Sequence, residues 1–389
     1  MPMEREELSD WLRLYLTPGV GNTVARQLLA AFGLPGAVFQ QSSTALRTIV
    51  SERLCAALLS EPPELPDLLD HTWQWLQQYP EHRRVLPLGD PSYPPGLLNM
   101  EDPPLLLYGM GMPQAWLPQG LAALGHSSIS VVGSRNPTAQ GVANARQFSQ
   151  ALAQVGLTVV SGLALGIDGA AHEGALDGAT DGQLATVAVV GTGLDRVYPK
   201  QHLDLAHRIA QHGVLLSEYA LGTPPLANNF PKRNRLIAGL TRGTLVVEAA
   251  LKSGSLITAR LALEQGKEVF AIPGSIHSTQ AKGCHALIKQ GAKLVECAQD
   301  ILEEFQFATS SVVAINLVAA SAYDTGPAAL FDTENDLLPA LGFDPVSLDA
   351  LQARTGLDTA TLQAELMALE LQSQITRLPG GLFQRLVRV

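Results

Sequence analysis

Hydrophobic residues between about positions 125 and 305 fall into short runs that are separated by stretches of helical length. The runs are rich in Val, Ile and Leu, as strands buried on both faces of a sheet require. Strands that alternate with helices in this way form right-handed βαβ units. The pattern therefore predicts an α/β fold with an open, doubly wound parallel sheet of the extended Rossmann-like type. The strand-like runs end at Gly133, Gly162, Gly191, Glu218, Glu248 and Gly274, with a further run near Val295.

The segments outside this region have different patterns. Residues 1–80 are rich in Leu and Ala at helical spacing and predict a small helical domain, and residues 81–305 then form the Rossmann-like domain with its lead-in segment. Residues 306–335 show no firm periodicity and are interpreted as a linker. Residues 336–389 predict two helices followed by a two-stranded wing with a Pro-Gly-Gly turn, the pattern of a winged-helix domain.

Each flanking domain leaves two interpretations open. The segment Pro18–Gly21 and the helix after it resemble the helix-hairpin-helix motif of small SAM-like domains, whose backbone amides hold a DNA phosphate. Few cations surround it, so a hairpin used only for packing is an equal alternative. The presumed recognition helix of the C-terminal domain, Thr359–Gln372, has two glutamates and no cation, which favours a protein contact over binding in a DNA groove.

The formal net charge of the 389-residue chain is −10, which on average disfavours binding to nucleic acid. The charge is unevenly distributed, because residues 121–305 contain 15 Lys and Arg against 14 Asp and Glu, whereas the remainder contains 11 against 22. All seven lysines lie in this middle segment. A polyanion is therefore expected to bind there, although acidic flanks that only aid solubility would give the same distribution.

Cysteine content and hydropathy limit the protein class further. The three cysteines, Cys55, Cys284 and Cys297, include no CxxC pair, which argues against a disulfide framework or a metal site and for a reducing compartment. No apolar run reaches the roughly 18 residues of a membrane span, and the acidic N-terminus does not resemble a signal peptide. The expectation is a cytoplasmic protein without metal or membrane span.

The first strand-to-helix turn, Gly133-Ser134-Arg135, combines small residues with an arginine. The chain contains neither GxGxxG nor GxxxxGK[ST], so no nucleotide or other cofactor is predicted. Backbone amides at such a helix start suit a phosphate, and the guanidinium of Arg135 adds two parallel donors. A plain turn with a solvated arginine is the alternative.

The second turn contains Gly162 and Gly166, which would let the backbone approach a ligand closely. Asp168 and His172 follow one helical turn apart, a spacing that would suit an acid–base pair. No serine or cysteine nucleophile accompanies them, so helix capping by Asp168 is favoured and no catalytic residue is assigned. Tyr198 in the third turn is a candidate either for packing or for base stacking.

The fourth turn has the densest positive charge, in Lys232-Arg233-Asn234-Arg235. The macrodipole at a helix start disfavours cations, and a bound polyanion would offset this effect. Phe230, just before the cluster, is a candidate for stacking on a base. The fifth turn, Lys252-Ser253-Gly254, again opens a helix with small residues. Together with Lys200 and Arg135, these turns predict a row of phosphate sites and aromatics along one sheet edge, as a single-strand-binding groove requires.

These motifs in this order resemble the DNA processing protein A family, also called Smf, over most of the chain. The resemblance implies a dimeric, non-enzymatic protein of natural transformation that binds and shields single-stranded DNA and helps to load the RecA recombinase. It also implies that Gly133 to Arg135, Phe230 and the Lys232–Arg235 cluster hold the strand. The matching motifs are Tyr93-Pro94, Asp102 to Gly109, Gly133 to Arg135, Ser161 to His172, Gly191 to Pro199, Ser217-Glu218, Phe230 to Arg235, Glu248 to Ala259, Pro273-Gly274 and Gly283 to Ala292.

An enzyme on the same fold is the alternative. The RNR sequence and Glu248 also resemble the LOG-type phosphoribohydrolases, which act on nucleoside monophosphates and use an Arg and a Glu in a PGGxGTxxE motif. The corresponding stretch, Thr241–Ser255, lacks the paired glycines before the motif's threonine. The sequence therefore favours the binding protein.

Overall fold

The structure is a computed structural model that describes residues 3–117, 119–306, 337–342, 345–372 and 374–386. The linker predicted over residues 306–335 lies, apart from Gln306, outside the described residues. Within the described ranges, no helix combines the length and the apolar character needed to cross a bilayer.

Six helices make up the N-terminal part of the chain. Their apolar faces share a core in which Leu8, Trp11 and Leu28 are almost completely buried. The turn between the first two helices contains Gly19 at a φ of +85°, a backbone conformation that glycine adopts without strain. The bounds are α1 (Arg5–Leu16), α2 (Asn22–Phe32), α3 (Pro35–Phe39), α4 (Ser43–Leu46), α5 (Glu52–Leu59) and α6 (Leu65–Gln78).

The central part of the chain is built on a nine-stranded sheet. Seven strands are parallel, as predicted, and two antiparallel strands from the lead-in segment extend the sheet at one edge. The bounds are β1 (Arg83–Pro87), β2 (Leu106–Gly111), β3 (Ser128–Val132), β4 (Thr158–Ser161), β5 (Thr186–Val189), β6 (Val214–Ser217), β7 (Gly243–Val246), β8 (Glu268–Ala271) and β9 (Lys293–Leu294). Their order is β1-β2-β6-β5-β4-β3-β7-β8-β9.

Helices cover both faces of this sheet. Successive residues of one strand belong to different cores: Val131 packs on one side and Val132 on the other, as the two-residue period of a strand dictates. The helices are α7 (Pro95–Leu98), α8 (Leu124–Ser127), α9 (Ala139–Gln154), α10 (Ile167–Gly178), α11 (Leu203–His212), α12 (Asn229–Leu240), α13 (Ser255–Glu264), α14 (Lys282–Lys289) and α15 (Ala298–Glu304). The predicted open, doubly wound α/β fold is thereby confirmed.

The C-terminal part forms a small separate core. Leu351, Leu362, Leu366 and Phe383 are buried together between helices and a three-stranded sheet in the order β10-β12-β11. This arrangement confirms the predicted winged helix. The bounds are α16 (Leu337–Leu341), β10 (Val346–Ser347), α17 (Leu348–Thr355), α18 (Thr359–Leu371), β11 (Ile375–Leu378) and β12 (Leu382–Arg385).

The strand order of the central sheet reverses between β3 and β7. From β3 the chain continues on one side to β4, whereas β7 pairs with the other side of β3. The loops that follow these two neighbouring strands diverge, and the crevice between them is where open α/β sheets bind ligands. The fold therefore places the loop that begins at Gly133 and the loop that begins at Val247 on either side of a switch point.

Candidate functional site

An open cavity of about 740 Å³ lies at this switch point. It is lined by residues from the loops after β3, β4, β5, β6 and β7 and by Gln280 from the loop after β8. We refer to it as the switch-point cavity. Nine of the thirteen predicted DNA-binding residues line it: Gly133, Ser134, Arg135, Phe230, Arg233, Asn234, Lys252, Ser253 and Gly254.

The loop after β3 is held tightly beneath the cavity. A Cβ at Gly133 would come within 2.6 Å of the Ile167 side chain, and a Cβ at Gly166 within 2.5 Å of the Ser134 carbonyl oxygen. Gly166 also has a φ of +83°. Both glycines therefore bring the loops after β3 and β4 together, and Ile167 donates its backbone N–H to the Ser134 oxygen at 3.1 Å. Gly166 allows the loop after β4 to approach Ser134 closely, but it does not itself line the cavity.

Arg135 is exposed at the cavity and has no carboxylate within ion-pairing distance in the described part of the chain. Its guanidinium carbon lies 5.8 Å from the centroid of the Phe230 ring, a cation–π distance. The Tyr198 ring lies 5.5 Å from the same ring and is tilted by 38°. Tyr198 is about half exposed, so its ring is available to a ligand as well as to Phe230. One cation and two aromatic rings thus stand together at the cavity.

Side chains of the protein itself accept hydrogen bonds from backbone N–H groups at the N-terminus of α9. The Glu248 carboxylate accepts the backbone N–H of Thr138 at 2.9 Å and its hydroxyl as well, and the Thr138 hydroxyl in turn accepts from the Gly141 N–H at 3.0 Å. Glycine at position 141 leaves room for the carboxylate in this position, because a Cβ there would lie within 2.6 Å of it. The backbone N–H groups of Thr138 and Gly141, at a helix start where a phosphate was predicted, are thus hydrogen-bonded within the protein.

Arg233 belongs to the interior. Its side chain is 3% exposed and donates to the carbonyl oxygens of Gly162 and Val189, at the ends of two neighbouring strands. Burial lowers the pKa of Arg233 to about 10, while the Asp168 carboxylate opposes this shift. Burial raises the pKa of Asp168, and Arg233 opposes that shift in turn. Gly162 leaves room for both side chains, since a Cβ there would lie within 2.6 Å of each.

Lys232 and Arg235 lie on another side of α12 and line a second groove of about 440 Å³. Arg235 pairs with the largely buried carboxylate of Glu218 and donates to the Asp102 carbonyl oxygen at 2.6 Å. Lys232 is exposed. The predicted cluster of three cations is therefore divided: Arg233 and Arg235 are neutralised internally, and Lys232 alone is left at the surface. Protein carbonyls and a carboxylate therefore offset the helix–dipole repulsion of Arg233 and Arg235.

The loop after β7 contributes the opposite wall of the cavity. The hydroxyls of Ser253 and Ser255 lie 2.7 Å apart at the start of α13, and Lys252 is exposed beside them. Asn234 reaches this loop through a hydrogen bond to the Gly254 carbonyl oxygen at 3.4 Å. A flexible cation and small polar groups therefore face Arg135 from across the switch point. Lys200 is exposed but is not among the lining residues.

The candidate acid–base residues are occupied in packing. His172 is fully buried, and its Nδ1 lies 2.7 Å from the Thr186 hydroxyl. Burial lowers the pKa of His172 to about 3. Asp168 accepts the backbone N–H of Ala164 at 3.3 Å. Among the described residues, no group of three or more His, Cys, Asp or Glu side chains is arranged to hold a metal ion.

Two parts of the cavity were missed from the sequence. Gln280 donates to the Asn136 carbonyl oxygen at 3.0 Å and so ties the loop after β8 to the loop after β3. Pro225 and Ala227 line the cavity from the long loop before α12. Both segments follow strand ends, which was the available signal, but neither contains a cation or a glycine-rich motif.

Comparisons with known proteins identify the family. The model of the family described as DNA recombination-mediator protein A matches residues 84–306, and the model described as the DprA winged helix domain matches residues 321–381. The chain belongs to the DNA recombination-mediator protein A family. The resemblance found in the sequence motifs is thereby confirmed.

Relatives extend this similarity beyond the family model. The chain is 42% identical to protein Smf of Escherichia coli over 79% of this chain and 78% of that protein. Among solved structures, DprA from Streptococcus pneumoniae matches with a TM-score of 0.64 and 36% identity, over 79% of this chain and all of that one. A structure of DprA from Helicobacter pylori, described as giving insight into its single-stranded DNA binding mode, matches with a TM-score of 0.51 and 28% identity, over 59% of this chain and 97% of that one.

Proposed function

We propose that this member of the DNA recombination-mediator protein A family binds single-stranded DNA at the switch-point cavity without chemical turnover. The observation that carries the proposal is Arg135, a cation with no ion-pair partner in the described part of the chain, which stands beside the rings of Phe230 and Tyr198. An unpaired guanidinium suits a phosphate, and aromatic faces suit any base. The H. pylori relative, whose description names single-stranded DNA, supports the same ligand.

The cavity combines charge and stacking without a fixed set of base-reading groups. Lys252 and Arg135 face the opening from opposite loops, and Lys232 lies beyond it on α12. Phosphate contacts of this kind give affinity that falls with salt and does not depend on sequence. We therefore expect tight binding to single strands of any composition. Duplex DNA, whose bases are stacked on each other, offers no free base face to the aromatic rings and should bind more weakly.

Affinity for labelled oligo-dT, measured by fluorescence anisotropy at several KCl concentrations, tests the proposal. The logarithm of the binding constant should fall linearly with the logarithm of salt, by about 0.7 per phosphate contact on a single strand. A duplex of equal length is the control. Absence of binding to single strands, or an affinity that salt leaves unchanged, would overturn the proposal.

The internal contacts of the acidic and histidine side chains support a non-enzymatic role. Glu248, which matches the LOG-type glutamate, is bonded to Thr138, and the buried His172 has a strongly lowered pKa. A general base needs a proton-accepting atom within reach of substrate. Release of adenine from AMP at a rate proportional to protein concentration would revive the enzyme alternative.

RecA loading, strand protection and dimerisation complete the proposal, and family membership is their support. A bound dimer that covers a strand would shield it from nuclease and present it to the recombinase. Three measurements test these steps: nuclease digestion of dT with and without the protein, the molar mass in solution, and RecA filament formation on strands already covered by a single-strand-binding protein. No gain in filament formation would remove RecA from the proposal.

A further inference from the structure

Large apolar side chains are exposed on nearly every loop that surrounds the switch-point cavity. They are between 41% and 73% exposed, although most large aliphatic residues in the described part of the chain are buried. Leu165 lines a small pocket of about 70 Å³ that shares Arg135, Tyr198 and Phe230 with the cavity, and Leu226 and Leu251 stand between residues that line the cavity. The row comprises Leu226, Tyr198, Leu165, Leu251 and Ile276.

The sheet arranges these residues in order along the carboxyl ends of its parallel strands. They follow β6, β5, β4, β7 and β8, and Arg135 follows β3 in the middle of the row. Five inter-strand steps separate β6 from β8, a span of about 24 Å at the usual strand spacing. Ile276 belongs to the same edge because Gln280, from its loop, bonds to Asn136 next to Arg135. The row is thus long enough for several nucleotides of an extended strand.

Cations are interleaved with this row. Arg135 lies between the loops that hold Leu165 and Leu251, and Lys252 is adjacent to Leu251. Apolar groups and two cations on the same row suit a single strand, which offers both base faces and phosphates along its length. A duplex would present only phosphates to the edge, and an apolar protein partner would leave the interleaved cations buried without partners.

We propose that Leu226, Leu165, Leu251 and Ile276 form an aliphatic rail on which the unstacked bases of the strand lie, while Arg135 and Lys252 hold its phosphates. The inference rests on the proposed function and adds the direction of the strand, which crosses the carboxyl ends of the sheet strands from β6 to β8. Aliphatic groups have no donors or acceptors with which to distinguish bases, so the rail contributes affinity without sequence preference.

An abasic strand distinguishes the contribution of the rail to affinity from that of the phosphate contacts. The full-length protein is titrated with a 20-nucleotide dT strand and with an abasic strand of the same length and charge. Wild type should prefer dT by at least about tenfold. If each leucine accounts for about fivefold, the triple variant L165S/L226S/L251S should bind dT between about tenfold and a hundredfold more weakly, a loss no larger than the wild-type preference for dT. It should bind the abasic strand as wild type does.

The matched control is Leu117→Ser. Leu117 is as exposed as Leu226. It lies five residues after Met112, which donates its backbone N–H to the Gly213 oxygen just before β6, and so belongs to the amino-terminal ends of the parallel strands. It should leave both affinities unchanged. All variants should retain the wild-type thermal unfolding, because the substituted side chains are exposed; if the triple variant is destabilised, Leu251→Ser alone, with an expected loss of about fivefold on dT, takes its place.

Three results would overturn the rail: unchanged dT affinity in the triple variant, an equal loss on dT and the abasic strand, or wild-type binding that does not distinguish the two strands. Unchanged DNA binding with an altered molar mass in solution would identify the row as a contact between copies of the chain. Failure of wild type to bind either strand would instead contradict the proposed function itself.

Discussion

The carboxylate of Glu248 and the backbone N–H of Thr138 form a hydrogen bond of 2.9 Å that spans the switch point. The bond joins the chain just after β7 to the residue that caps α9, and the loop that carries Arg135 lies between β3 and that cap. Arg135 is therefore held in a loop whose two ends are fixed, one by the sheet and one by Glu248. We regard Glu248 as a positioning residue for the cavity.

Glu248→Gln tests this position. Loss of charge-assisted hydrogen bonds should lower the free energy of unfolding of the central domain by about 1.5–3 kcal/mol. Affinity for oligo-dT should fall because the loop with Arg135 loosens. Urea unfolding and anisotropy measure the two effects. Glu264→Gln, which removes an exposed carboxylate paired with Arg260 on α13, is the control and should change neither. Wild-type stability together with loss of an AMP-cleaving activity would contradict the positioning role.

Arg135→Ala should weaken binding to dT, dC and dA strands by similar factors, about tenfold or more, since a charge-assisted contact to phosphate carries no sequence information. The salt dependence should become less steep by about 0.7 for the lost contact. Arg260→Ala removes the same charge from an exposed site outside the cavity and should have little effect. A loss confined to one base composition would show that Arg135 reads bases.

Much of the central fold could be predicted because buried parallel strands have a recognisable local composition, rich in Val, Ile and Leu. The runs that end at Gly133 and Glu248 correspond to β3 and β7, with ends displaced by no more than two residues. The antiparallel strand β2 was missed because its place is set by pairing with β6, about a hundred residues away. The local sequence of β2 does not indicate with which distant strand it pairs.

The candidate site was predicted less well for a similar reason. Arg233 was counted as a free cation, yet it stands three and four residues before Leu236 and Ile237, on the buried face of α12. That spacing was a usable signal. The pairing of Arg235 with Glu218 and the bond between Glu248 and Thr138 depend on the fold, so the sequence could not reveal them.

Lys232 and Arg233 are adjacent, but substitution of Arg233 should mainly lower stability, whereas substitution of Lys232 should mainly lower affinity for single strands. Arg233→Ala removes donors from two buried carbonyls and leaves Asp168 without its neighbouring cation, so the free energy of unfolding should fall by about 3 kcal/mol or more. Lys232→Ala should change stability by less than about 0.5 kcal/mol and should reduce affinity for single strands. Urea unfolding and anisotropy on both variants check this. Equal stability of the two variants would show that Arg233 is not a structural residue.

His172 should make the central domain sensitive to acid. Its pKa is lowered to about 3 in the folded state from an ordinary value of 6.5, so the unfolded chain binds the proton more readily. The stabilising contribution is therefore complete above pH 6.5 and is lost as the pH falls toward 3, by about 2 kcal/mol between pH 6.5 and 5. His172→Gln, which retains a donor for Thr186, should flatten this part of the profile in urea unfolding. His126→Gln, at an exposed histidine, should leave the wild-type profile unchanged. Identical pH profiles for wild type and His172→Gln would place the sensitivity elsewhere.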